Sequence, residues 1–176
     1  MKQAPTDPAI IQGLVERIAE ELSPMVSSGA PIAFVAIRKG GEILAGRLVE
    51  LLEERTNIRV PLGVLDITLY RDDITRRRIY EVKATDIPFD VSSQDIVLVD
   101  DVIQTGRSAR AAIDHIMDLG RPRRIYLVVL FDRGGRELPI QPDITGMKVD
   151  LPEDRTIKIE VDDRGAISGL IMGGVK

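Results

Sequence analysis

A chain of 176 residues with a hydrophobic share of 44% and a charged share of 30% can fill a core and remain dissolved, which excludes whole-chain disorder. It has no cysteine and one histidine, so disulfides, thiolate catalysis, thiolate metal centres and His-rich metal sites are all excluded. The balance of 28 acidic against 24 basic residues gives a net charge of −4, which does not suit indiscriminate nucleic-acid binding, and three Phe, three Tyr and no Trp cannot build a stacking platform for single strands.

Pro8 to Val26 carries apolar residues every three or four positions (Ile10, Ile11, Leu14, Val15, Ile18, Ala19, Leu22), which predicts a helix with Asp7 and Pro8 at its start. Ile32 to Ile37 is a nearly continuous apolar run, as expected of a strand buried on both faces. A second helical pattern follows Gly40 and Gly41, and Val60 to Tyr70 reads as a strand. Arg71 to Asp90 is polar and charged, with a hairpin expected around Asp72–Thr75. Ile96 to Val99 is a third buried strand, Ser108 to Leu119 a helix closed by Gly120 and Pro122, and Arg124 to Phe131 a fourth strand. From Gly134 onward, Gly and Pro punctuate two short strand candidates, Thr156–Val161 and Ala166–Ile171. Alternating strands and helices predict an α/β fold with a mostly parallel sheet flanked by helices, as one domain over residues 1–176. No apolar run approaches the roughly 18 residues of a membrane span. Residues Met1 to Ile11 lack a basic region followed by an apolar one, so a soluble, cytoplasmic protein is expected.

The most informative segment runs from Ile96 to Ser108. An apolar strand delivers two adjacent carboxylates, Asp100 and Asp101, and the loop Gln104-Thr105-Gly106-Arg107-Ser108 then opens a helix. Ligands of open α/β sheets bind beyond the carboxyl ends of the strands. A helix start presents unpaired backbone N–H groups that favour a phosphate, and Gly106 admits close approach. Carboxylates suit ribose hydroxyls or a hydrated Mg²⁺ instead. A ligand with both requirements is a phosphorylated ribose. Thr105 or Ser108 alone would read as a simple helix cap, and paired acids at a strand end also occur in phosphoacceptor domains. Neither the nucleotide-triphosphate loop pattern nor G-x-G-x-x-G is present. His115 has no acidic or nucleophilic partner in triad order and reads as structural.

The Ile96–Ser108 string resembles the phosphoribosyl-pyrophosphate (PRPP) motif of type I phosphoribosyltransferases. With Leu65–Asp73 and Phe131–Ile140, it resembles the PyrR family, pyrimidine-operon attenuation regulators that also act as uracil phosphoribosyltransferases. The resemblance implies a phosphoribosyltransferase fold with a small C-terminal hood and a flexible loop, assembled as a homodimer or homotetramer. It implies the reaction of uracil with PRPP to give UMP and pyrophosphate, with Mg²⁺ held by Asp100 and Asp101 directly or through water. Asp100, Asp101 and Arg71 would be catalytic. PRPP would meet Asp100, Asp101, Thr105, Gly106, Arg107 and Ser108, with the turn Arg38-Lys39-Gly40-Gly41 as the pyrophosphate cradle. Gln104, Asp132, Arg133 and Gly134 would read the base. The basic stretch Arg71, Arg76, Arg77, Arg78 and Lys83 would be an arm closing over pyrophosphate, or else a solvated hairpin face.

Departures from the family pattern shift these expectations. Gly40 stands where an Arg is usual, Gln104 where a Tyr is usual and Gly135 where a His is usual. Gln104 cannot act as the base that an Asp supplies in purine-type relatives, which favours uracil, whose N1 proton is already fairly acidic. On the RNA face, Arg17, Arg136 and Lys148 would meet a leader mRNA, but Glu16 and Glu20 flank Arg17 and repel phosphate. RNA attenuation is therefore expected to be weakened, absent or moved to another surface. The alternative to an active enzyme is a non-catalytic or weakly catalytic, nucleotide-sensing regulator of pyrimidine genes that binds UMP or UTP and RNA.

Overall fold

The structure, a computed structural model, describes residues 7–72, 84–152, 154–161 and 167–173. Helix α1 (Pro8–Ser27) starts where expected: Asp7 accepts the Ala9 N–H at 2.8 Å, a cap of about 1 kcal/mol. Its buried residues Ile11, Leu14, Val15, Ile18, Ala19, Leu22 and Val26 keep helical spacing along one face. β1 (Ile32–Ile37) leads into α2 (Gly40–Thr56), and β2 (Leu62–Leu65) runs into a short 3-10 turn, Thr68–Tyr70. β3 (Asp95–Ile103), α3 (Arg107–Leu119), β4 (Arg124–Asp132) and β5 (Ile144–Lys148) follow. An antiparallel pair, β6 (Arg155–Val161) and β7 (Ile167–Gly173), forms the hood.

The central sheet has the order β2-β1-β3-β4-β5 and every pairing in it is parallel. Alternation along the inner strands sends Phe34, Ala36, Val97, Val99, Val128 and Leu130 to the face covered by α1 and α2. The intervening residues Ala33, Val35, Ile96, Leu98, Leu127 and Val129 face α3. Both faces being covered explains why these strands read as unbroken apolar runs. Ile157, Ile159 and Ile167 of the hood are buried in the core on the α1–α2 side. No helix of the described residues is long and apolar enough to cross a membrane.

Two predicted elements are corrected and one is added. The strand expected over Val60–Tyr70 is only Leu62–Leu65, because the Asp66 carboxylate accepts the Thr68 N–H at 2.8 Å and turns the chain. The third strand does not stop at Val99 but continues through both acids to Ile103, paired with β4 as far as Asp132. β5 was not anticipated. Its sequence is short and interrupted by Gly146, where a Cβ would lie 2.5 Å from the Leu130 carbonyl oxygen. The hairpin expected around Asp72–Thr75 lies outside the described residues beyond Asp72, as do Arg76, Arg77, Arg78 and Lys83 and, in the last strand candidate, Ala166.

Candidate active site

The carboxyl ends of β1, β2 and β3 open into a cavity of about 1050 Å³, whose opposite wall is β6 from Thr156 to Val161. Strand β3 sets the acids here: Asp100 is buried and Asp101 half-buried. Each is oriented by local backbone, since Asp100 accepts the Asp101 N–H at 3.0 Å and Asp101 accepts the Val102 N–H at 3.0 Å. Burial pushes the Asp100 carboxyl well above the usual range, and the adjacent negative charge of Asp101 adds to this, while the Arg71 guanidinium pulls it back. Burial also raises Asp101, against hydrogen bonds from Asp100 and from the N–H groups of Val102 and Ile159. Two acids so placed bind best to a partner that supplies hydroxyl protons or positive charge.

Facing them, α3 begins at Gly106, whose φ of 89° is costly for any residue with a side chain. The loop is tied from below: the Thr105 carbonyl accepts N–H groups of Glu137 at 3.0 Å and Leu138 at 3.1 Å. Thr105, Gly106 and Ser108 line the cavity, and Arg71 reaches them, donating from Nη1 to the Ser108 hydroxyl at 3.3 Å. Arg107 does not line it. Its guanidinium holds Glu137 and Asp72, both at 2.7 Å, which leaves its backbone at the helix start as its contribution.

The first turn behaves likewise. Arg38, Lys39 and Gly40 line the cavity, and Arg38 also donates to the Ala84 carbonyl at 3.2 Å. Gly41 lies behind them, where a Cβ would stand 2.4 Å from the Val99 carbonyl oxygen. Gly40 has an Asp101 carboxylate oxygen 2.1 Å from where its Cβ would be, so the absent side chain leaves room for that acid.

On the base side, Gln104 and Arg133 line the cavity. Asp132 does not: it is buried, ion-paired with Arg136 at 2.8 Å and accepts the Gly134 N–H at 2.9 Å. Burial alone would raise its carboxyl, but Arg136, that N–H and Lys148 outweigh it and hold the group below the usual range. Asp132 therefore shapes the 132–136 turn. Gly135 lies beside Gln104, with 3.7 Å between a Cβ at 135 and the Gln104 Cγ.

The three cations expected on an RNA face fare differently. Arg136 is only 13% exposed and also donates to the Ile140 and Gln104 carbonyls, both at 2.9 Å, so its guanidinium is spent inside the chain. Arg17 donates to the carbonyls of Thr145 and Gly146, and Lys148 is exposed at the end of β5. Sequence reading missed the β6 wall and Asp66. An acid directly after an apolar strand could have revealed Asp66, but nothing local reveals which strand end a distant hairpin covers.

A phosphoribosyl transferase domain family model matches residues 6–162. The chain is 48% identical over 166 residues to a bifunctional protein PyrR of Roseiflexus sp. (strain RS-1), covering 92% of this chain and 90% of that one. It is 49% identical over 148 residues to a bifunctional protein PyrR of Thermus aquaticus, covering 84% and 82%. A crystal structure of the hypoxanthine phosphoribosyltransferase of Trypanosoma cruzi shares the fold, with a TM-score of 0.71 at 17% identity over 99% of this chain and 98% of that one. The chain is thus a member of the phosphoribosyl transferase domain family and, within it, of the PyrR proteins.

Proposed function

We propose that the chain transfers the phosphoribosyl group of PRPP to uracil, giving UMP and pyrophosphate, with Mg²⁺ as cofactor. The observation that carries this reading is the meeting, in one cavity, of the adjacent acids Asp100 and Asp101, the amino end of α3 and Arg71. The bond from ribose C1 to pyrophosphate breaks, the bond from C1 to uracil N1 forms, and the N1 proton leaves. As pyrophosphate departs, positive charge grows on the ribose ring, which the carboxylates of Asp100 and Asp101 stabilise while holding the ribose hydroxyls. The N–H groups at the start of α3, with the Thr105 and Ser108 hydroxyls, hold the 5′-phosphate. Arg38, Lys39 and the amino end of α2 clamp pyrophosphate, and Arg71 adds charge. Gln104 and Arg133 read the pyrimidine edge, Gly134 does not line the cavity and gives its N–H to Asp132, and β6 excludes water.

The residues fit Mg²⁺: their donors are oxygens, and among the described residues no group of three or more His, Cys, Asp or Glu would form an all-protein cage. A hard cation held by one or two carboxylates plus substrate phosphates matches that set. When bound, Mg²⁺ supplies charge neutralisation on pyrophosphate.

Incubation of the purified chain with PRPP, Mg²⁺ and uracil should yield UMP by chromatography, with orotate and hypoxanthine poor in its place. Absence of UMP would overturn the reading, and calorimetric binding of UMP or UTP without turnover would favour a nucleotide-sensing regulator. Commitment of Arg136 and Arg17 to acceptors inside the chain supports a second reading, that RNA attenuation through this face is weakened. A gel shift with pyrimidine-operon leader RNA at physiological salt should then show weak or no binding.

A further inference from the structure

Segment 66–72 carries Arg71 to the cavity, yet within it regular structure is confined to the 3-10 turn Thr68–Tyr70. Its last ladder contact is upstream, at the Ile37–Leu65 pairing of β1 with β2. Leu69 is 77% exposed, so the turn is not held by burying that side chain. Besides the buried Ile67, one stripe of α3 holds it. Arg107 pairs with Asp72 at 2.7 Å, Ser108 accepts from Arg71, and Arg110 donates to the Tyr70 carbonyl at 2.9 Å. Farther along, the His115 ring stacks on Tyr70 with centroids 4.2 Å apart and planes 10° from parallel, and Asp118 accepts the Tyr70 hydroxyl at 2.8 Å. His115 Nδ1 also lies 3.2 Å from the Asp66 carbonyl oxygen, so one imidazole touches the segment at both ends of the turn. These α3 residues recur at helical spacing and share a face.

We propose that His115 is a positioning residue: by clasping Tyr70 and the Asp66 carbonyl it docks the turn on α3 and thereby aims Arg71 at the phosphate loop. This inference rests on the role given to Arg71 above. The clasp sits two turns along α3 from Ser108, so His115 touches neither reacting atoms nor substrate. A guanidinium binds an anion through directed N–H groups, and a displacement of about 1 Å is enough to lose much of that contact. A single aromatic clasp can therefore have a kinetic effect at a distance.

The test is steady-state UMP formation with PRPP and uracil varied separately, in the full chain. His115→Ala and the bulk-preserving His115→Leu should each lower kcat/KM for PRPP about tenfold while leaving the KM for uracil unchanged. His115→Phe, which keeps a stacking ring, should recover most of the loss. In an Arg71→Ala background, His115→Leu should add nothing, because the group it positions is gone. The inference is overturned if His115→Leu leaves kcat/KM for PRPP unchanged, if it raises both KM values together, or if its effect persists undiminished beside Arg71→Ala. Should Arg71→Ala by itself leave PRPP kinetics untouched, the role of Arg71 is what fails, a result separable from any behaviour of His115.

Discussion

The amino ends of α2 and α3 are two versions of one device, a parallel strand turning into a helix at the rim of the same cavity. At α3 the turn is preformed for a small anion: Gly106 takes a positive φ, hydroxyls flank it and its underside is hydrogen-bonded to residues 137 and 138. At α2 the two glycines serve proximity, bringing the helix against Val99 and leaving room for Asp101. One end is thus shaped by a backbone dihedral and the other by the room the acid pair needs. The lesson is that glycines in like positions can act through dihedral freedom in one case and through missing volume in the other.

Substitutions at the two ends should separate these uses. The largest effect is expected at the group both ends face: Asp101→Asn should cut kcat/KM for UMP formation at least about 100-fold, with the melting temperature little lowered, since burial already disfavours its charge. Next comes Gly41→Ala. Its methyl would meet a backbone oxygen at 2.4 Å, so α2 must shift, at about 2–3 kcal/mol of stability in denaturant titrations. Gly106→Ala has ordinary space, 3.5 Å to its nearest neighbours, and pays only for its dihedral, about 1–2 kcal/mol. Its signature should be a raised KM for PRPP with normal affinity for uracil. If Gly106→Ala proved costlier to stability than Gly41→Ala, the division between the two ends would fail.

A control far from both ends, at the opposite rim of the sheet, should have the smallest effect. The Arg123 guanidinium, hydrogen-bonded at 2.8 and 2.6 Å, holds the Asp95 carboxyl below the usual range despite its burial. A depressed carboxyl stabilises the fold above its ordinary pKa and loses that contribution as pH falls through the folded value. Asp95→Asn should therefore lower the melting temperature by roughly 2–4 °C at pH 7, and the gap should close as pH is taken below about 4, with kinetics unchanged.

The site was legible where its parts are consecutive in the chain. Asp100, Asp101, Thr105, Gly106 and Ser108 sit on one strand, loop and helix start, so their types and spacing already describe a receptor. Parts that depend on distant contacts were not legible. β5 hides because Gly146 answers to the Leu130 carbonyl, a neighbour in space only. Arg136 looks like a surface cation in sequence, yet four acceptors from three separate stretches surround it. The wall made by β6 depends on where a hairpin far along the chain comes to rest.

The two N–H groups that Glu137 and Leu138 give to the Thr105 carbonyl stitch the loop that opens α3 to the turn that follows β4. A residue inserted or removed between Arg133 and Glu137 would therefore tug directly on the backbone from which α3 starts.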